Sequence, residues 1–193
     1  MRWEESLSIQ VKSLSHLLTL QYLEEQVDHV VKFLREIKGF IFFTGVGKNM
    51  YTAARVSDTF QSLGMRSLFV DPVNSLHGGM GVFSDEDIIV AISKSGETDE
   101  LLRFLEILVT RNLNNIIAIT SNPSSRLSKM ARYALVIPVE EEGDHLNMAP
   151  ISSTMVFGAI LDSIAVQISS ERNYSRKDFV FNHPGGSLGK SKL

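Results

Sequence analysis

Apolar residues recur every three or four positions along the first stretch of the chain. Leu7, Val11, Leu14, Leu18, Tyr22, Val27, Val30 and Leu34 keep this spacing from about Glu4 to Ile37. The spacing predicts one long helix or two consecutive ones with an apolar face. The pattern then changes. Gly39-Phe40-Ile41-Phe42-Phe43-Thr44 is continuously apolar and ends in Gly45-Val46-Gly47, which predicts a strand covered on both faces. Helical spacing returns through Ala53, Val56, Phe60 and Leu63 and stops at Gly64, a residue suited to the left-handed turn beyond a helix end. Ser67 to Val70 is a short strand broken by Asp71-Pro72, and Asp87-Ile88-Ile89-Val90-Ala91-Ile92 is another buried strand. A helix through Leu101, Phe104, Leu105 and Leu108 follows, then strands at Asn115–Thr120 and Tyr133–Val139, and a long helix from about Ser152 to Ile168.

Strands alternating with helices of this length imply right-handed crossovers. The expected fold is α/β: a three-layer αβα sandwich around a mostly parallel sheet of about five strands. The 193 residues fit one domain, 1–193, and the sequence shows no repeat or flexible linker. With 44% hydrophobic and 21% charged residues the chain is globular in composition. A net charge of −3 argues against nucleic acid as partner, because a polyphosphate needs a basic surface to release counterions. Having no cysteine, the chain has no disulfide, thiolate nucleophile or cysteine metal site. Two glutamates interrupt the N-terminus where a signal peptide needs an apolar run. The longest continuous apolar runs are too short to span a bilayer, so the expected location is cytoplasmic, with no membrane partner.

Ligands of open parallel sheets collect beyond the carboxyl ends of the strands. Three segments fall there. Thr44-Gly45-Val46-Gly47-Lys48-Asn49 has glycines, Gly45 and Gly47, that let backbone approach a ligand, and it opens a helix. Taken alone the turn is neither a dinucleotide fingerprint nor a Walker loop. Ser93-Lys94-Ser95-Gly96-Glu97-Thr98 supplies the hydroxyls of Ser93, Ser95 and Thr98 around a glycine at a helix start, the donors a phosphate monoester requires. Ala149-Pro150-Ile151-Ser152-Ser153-Thr154 places a second hydroxyl cluster, Ser152, Ser153 and Thr154, at the start of the last helix. An N-cap alone would account for either cluster; it accounts less well for the pair, which could converge on one phosphate. The run Glu140-Glu141-Glu142 is the one local charge block, as a solvated loop would also have.

The glycine turn, the Ser93–Thr98 loop and the Ala149–Thr154 segment together resemble a sugar isomerase (SIS) domain. Asn182-His183-Pro184-Gly185-Gly186-Ser187-Leu188-Gly189-Lys190 is similar to the tail of D-arabinose 5-phosphate isomerases, as is Leu76-His77-Gly78. The resemblance covers nearly the whole chain, and the end at Leu193 matches the short form that lacks CBS domains. It implies interconversion of D-ribulose 5-phosphate and D-arabinose 5-phosphate through a cis-enediol, supplying synthesis of 3-deoxy-D-manno-octulosonate (Kdo) for lipopolysaccharide or capsule. Such a reaction needs a base between C1 and C2 and proton donors at O1 and O2. No redox cofactor and no metal is implied.

The resemblance places the catalytic functions on Lys48, Glu97, Glu142 and His183. Glu97 is the first candidate base, with its pKa expected to be raised at a strand end beside a phosphate. Lys48 would stabilise enediolate or phosphate charge, and His183 has the intrinsic pKa to shuttle protons. Glu142 is picked out from its neighbours by an ungapped count back from Pro150, and His77 is a candidate substrate contact. Two places depart from the family pattern. Lys94 stands where a small polar residue is common, and Asp144-His145-Leu146-Asn147-Met148 replaces a Cys-Pro-Leu-Gly-Leu pattern. The expected partner is a small phosphorylated sugar. A homo-oligomer, a tetramer by the resemblance, is expected from the apolar face of the first helices, with the His183 tail reaching a neighbour's site. Alternatives are a 3-hexulose 6-phosphate isomerase and a non-catalytic sugar-phosphate sensor.

Overall fold

The computed structural model of the chain describes residues 1–185. The long N-terminal apolar pattern resolves into two helices, α1 (Trp3–Leu17) and α2 (Gln21–Arg35). The Thr19 hydroxyl donates to the His16 carbonyl at 2.7 Å in the break between them. Next come β1 (Ile41–Gly45), α3 (Lys48–Ser62), β2 (Ser67–Phe69), a short α4 (Pro72–Ser75) and a 3-10 turn at Gly79–Val82. The rest runs β3 (Ile88–Ile92), α5 (Asp99–Thr110), β4 (Ile116–Thr120), α6 (Arg126–Met130), β5 (Tyr133–Val136), α7 (Ser152–Glu171) and α8 (Arg176–Asn182).

The strands form one parallel sheet in the order β2-β1-β3-β4-β5. Every residue of β1, β3 and β4 is buried, as their continuous hydrophobicity requires of strands covered on both faces. Alternation then sorts the side chains. Ile41, Phe43, Ile88 and Val90 join Val30, Leu34, Val56, Phe60, Phe157 and Ile164 on the α2, α3 and α7 side. Phe42, Ile89 and Ala91 join Leu101, Phe104, Leu105 and Leu108 of α5 on the other. The fold is therefore the three-layer α/β sandwich that the pattern predicts, with all five strands parallel.

Gly64 closes α3 at φ +79°. Its N–H donates to Gln61 and that of Met65 reaches back to Phe60, both at 2.9 Å, a Schellman closure. Buried Asp87 ties the approach to β3 onto β1, accepting from the Phe40 N–H at 2.7 Å and from the Ser84 N–H and hydroxyl at 2.7 and 2.9 Å. Asp87→Ala leaves those donors unpaired and is expected to cost about 2 kcal/mol. Urea denaturation of the two proteins measures it, and a difference under half that value sinks the assignment.

Among the described residues α7 is long and apolar enough to cross a membrane by length and composition. Counting uninterrupted apolar runs passes over it because Asp162 and several serines divide it. Val156, Phe157, Leu161, Ile164, Ala165 and Ile168 of this helix are packed in the core, so it serves as the central helix of its layer. By contrast α1 buries no residue completely and exposes Trp3, Leu7 and Val11.

Candidate functional site

Because the sheet is parallel, Gly45, Ile92, Thr120 and Val136 end their strands at one edge. The loops beyond that edge carry most of the candidate residues. Gly45 is the last residue of β1, and a Cβ there would press on the Asn49 backbone at 3.0 Å. Gly47 caps α3 at φ +61° with open space where a side chain would stand. Exposed Lys48 is the first residue of α3 and lines a depression with Thr154 of α7. The β1 turn and the start of α7 therefore meet.

The Ser93–Thr98 loop is built from its own hydroxyls. Ser93 Oγ lies 3.0 Å from Thr98 Oγ1 and accepts from the Gly96 N–H at 3.1 Å. Ser95 Oγ accepts from the Glu97 N–H at 3.1 Å. Thr98 holds the N-cap position of α5 but its side chain makes no cap bond, so capping does not explain its hydroxyl. Gly96 has φ +66° and lies against Ser125, the residue whose hydroxyl caps α6. The Gly96 carbonyl accepts from the Leu127 N–H at 3.1 Å, which fastens the loop to α6.

Glu97 departs from expectation. Its carboxylate accepts from Arg126 twice, from the backbone N–H at 2.8 Å and from Nε at 2.7 Å. The Arg126 guanidinium and then its backbone N–H hold the Glu97 carboxyl below the usual carboxylate range. This corrects the expected rise: an exposed carboxylate facing an arginine is stabilised in its charged form. Arg126 is the residue that sequence reasoning missed, 29 positions away with no motif to mark it.

Glu142 is the buried acid of this edge. Its side chain is 3% exposed, and Oε1 accepts from Lys94 Nζ at 2.5 Å. Oε2 accepts from the Ile151 N–H at 2.9 Å and the Ser153 N–H at 3.1 Å. The carboxylate thus caps α7 from outside the helix, where a negative charge is favoured. Burial pushes its pKa up, but Lys94 and the Ser153 amide outweigh burial and the net direction is down. Ser152 and Ser153 are buried, and their hydroxyls have no hydrogen-bond partner among the described residues. Thr154 is different: its hydroxyl donates to the Pro150 and Ile151 carbonyls at 3.0 Å.

The altered stretch before α7 supports Glu142. Asn147 adopts φ +53° and its Oδ1 accepts from the Glu142 N–H at 2.7 Å. Asparagine tolerates the left-handed region better than most residues, which is why it can stand where the family pattern has glycine. Asp144 accepts from the Met148 and Ala149 amides at 2.9 and 3.0 Å and closes the turn.

His77 is exposed just beyond α4, in the connection that leaves β2. His183 lies elsewhere. Its ring stacks on Phe179 at 4.0 Å, and Nδ1 is 2.7 Å from the Phe179 carbonyl. It shares a depression with Asp58, Ser62 and Arg66, at the end of α3 and the approach to β2. That is the amino edge of the sheet, a strand length or roughly 16 Å from the other candidates. Within one chain, therefore, Lys48, Glu97 and Glu142 share the carboxyl edge and His183 does not. Gly186–Lys190 of its motif lie outside the described residues.

Comparison with known proteins gives this edge its context. The chain is 37% identical over 180 residues to arabinose 5-phosphate isomerase KpsF of Escherichia coli O6:H1, covering 90% of this chain and 54% of that protein. It is 37% identical over 156 residues to arabinose 5-phosphate isomerase KdsD of Pseudomonas aeruginosa, covering 81% and 48%. The chain spans about half the length of the curated relatives it matches. A solved structure of c3406 from E. coli CFT073, in complex with arabinose 5-phosphate, superposes with a TM-score of 0.89 at 31% identity, covering 94% of this chain and 95% of that one. The model of the SIS domain matches residues 33–167, from the end of α2 through most of α7, and the chain belongs to the SIS domain family.

Proposed function

We propose that the chain is an aldose–ketose isomerase that interconverts D-ribulose 5-phosphate and D-arabinose 5-phosphate without a redox cofactor. The observation that carries this is a buried carboxylate, Glu142, held between two hydroxyl-lined helix starts at one sheet edge. The hydroxyls of Ser93, Ser95, Ser152 and Ser153 with the amides at the start of α5 suit the phosphate. Relatives named as arabinose 5-phosphate isomerases and a neighbour solved with arabinose 5-phosphate support the choice of sugar.

Proton transfer falls to Glu142 on this reading, the carboxylate shielded from water between the two helix starts, in place of Glu97, which is exposed and ion-paired with Arg126 of α6. From ribulose 5-phosphate, Glu142 takes a proton from C1. The C–H electron pair forms the C1–C2 double bond, and the carbonyl pair moves to O2, which is protonated. Return of the proton to C2, with loss of the O1 proton, gives the aldose. Lys48 stabilises the enediolate or the phosphate, His77 contacts substrate, and Glu97 holds the loop to α6. His183 would complete the site of a neighbouring copy in a homotetramer whose contacts use the exposed apolar face of α1. A cytoplasmic enzyme that feeds Kdo synthesis fits the same reading.

The experiment is incubation with ribulose 5-phosphate in D2O, following aldopentose formation and deuterium at C2. Isomerisation with solvent exchange is the expected result. Tight binding without turnover would instead make the protein a sensor, and turnover of a hexulose phosphate alone would reassign the substrate.

A further inference from the structure

Lys94 is the residue of the phosphate loop that the family pattern does not account for, and the structure gives it a partner. Its main chain is fixed between β3 and β4, since its carbonyl accepts from the Thr120 hydroxyl at 3.0 Å and the Ser121 N–H at 2.9 Å. From there its side chain crosses the strand ends to Glu142, 48 positions away. Lys94 is 34% exposed against 3% for Glu142, so the ammonium is the open side of the pair.

A carboxylate offers about four lone-pair sites. The amides of Ile151 and Ser153 occupy both sites of Oε2, and Lys94 occupies one of Oε1. Among the described residues, the bonds that meet hydrogen-bond geometry leave acceptor capacity on Oε1, next to the ammonium. We infer that Lys94 is a positioning residue for the proton transfer: it fixes Oε1 as the working oxygen of Glu142 and keeps that carboxylate ionised and docked on α7. The inference rests on the isomerase reading. Without the cation, a carboxylate this buried tends to protonate or to swing toward water.

The groups facing Glu142 are few. Its own loop brings Glu140, Glu141, Asp144 and His145, while α7 has no acidic side chain in its first turn. From α1, Ser6 meets Gly143, and Lys12 and His16 lie beside Glu140 and Glu141. Among the described residues Lys94 is the cation in direct contact with the carboxylate. Its removal should therefore move the titration of Glu142 upward.

Lys94→Met keeps the length of the side chain and removes the charge. The expected result is a kcat lowered by roughly 100-fold, little change in KM, and an acid limb of kcat/KM displaced to higher pH. Lys94→Arg, which retains a cation, recovers at least about a tenth of the wild-type kcat and the wild-type acid limb. In parallel, the Glu142 carboxyl carbon is titrated by NMR in the wild type and both variants, which needs no substrate. An upward shift in Lys94→Met that Lys94→Arg reverses supports the lock. An unmoved titration and acid limb, or a rise in KM alone, overturns it. If the wild type turns over no pentose phosphate, the isomerase reading fails separately and the NMR titration still decides the role of Lys94.

Discussion

Glu142→Gln is expected to lower the kcat of pentose-phosphate isomerisation by roughly 1,000-fold, the scale of a lost general base. Binding of the sugar phosphate should change far less, because the hydroxyls and helix amides of the cradle remain. Glutamine has one acceptor oxygen and one NH2 donor. If its oxygen faces the Ile151 and Ser153 amides, its NH2 group opposes Lys94; if it turns, the amides lose their acceptor. Either way a donor at a side chain only 3% exposed is stranded, at about 1–3 kcal/mol. The pH dependence has a definite sign. The folded carboxyl titrates below the ordinary glutamate value, about 4.3. Its contribution to stability is present above that value and is lost as pH falls through the folded one. Wild type and Glu142→Gln should thus differ more in urea at pH 7 than at pH 3. Steady-state kinetics and calorimetric titration with arabinose 5-phosphate separate rate from binding. A variant that keeps a tenth of the activity, or loses affinity and rate together, removes Glu142 from the role of base.

The sheet was legible because it is buried on both faces. Continuous runs such as Ile88–Ile92 and Ile116–Thr120 are short, rich in β-branched residues and bounded by turn residues, which favours buried strands over buried helix. Their glycine and hydroxyl punctuation marks the edge where ligands bind. The short helices were not. α4 and α6 have four and five residues, too few to show a period, and α6 is held by Ser125 and Glu97 more than by an apolar stripe. Spacing also says nothing of which charges meet. Glu97 is expected to have a raised pKa when only its own loop is considered, yet Arg126 arrives from 29 positions away and reverses the direction. Lys94 is anomalous as a letter in a motif and becomes intelligible only beside Glu142. His183 shows the complementary failure. Its motif marks it as functional, but motif membership does not specify an edge of the sheet, and within this chain it sits at the amino edge.

Gly96→Ala tests whether the cradle and α6 form one unit. A Cβ at residue 96 would lie 2.5 Å from the Ser125 Cβ and 3.1 Å from the Thr120 hydroxyl oxygen. Ser125 cannot yield cheaply. It is fully buried, its hydroxyl accepts from the Ser128 N–H at 3.2 Å, and that hydroxyl donates to the Asn122 carbonyl at 2.8 Å. Moving it removes the cap of α6, and α6 in turn holds Glu97 through the Arg126 N–H. A φ of +66° adds strain for any side chain, about 1–2 kcal/mol. Overpacking and the lost cap add to this, for an expected destabilisation of about 4 kcal/mol. The contributions can be separated with Ser125→Gly, which removes the clashing Cβ and by itself costs a few tenths of a kcal/mol for the cap. In the double variant the steric part should vanish and the backbone strain persist, so roughly half the loss returns. Guanidinium denaturation of the four proteins measures this cycle. Strict additivity would place the strain in Gly96 alone and dissolve the coupling between the phosphate loop and α6. Recovery of stability together with sugar-phosphate affinity would show that the cradle keeps its shape because α6 is packed beneath it.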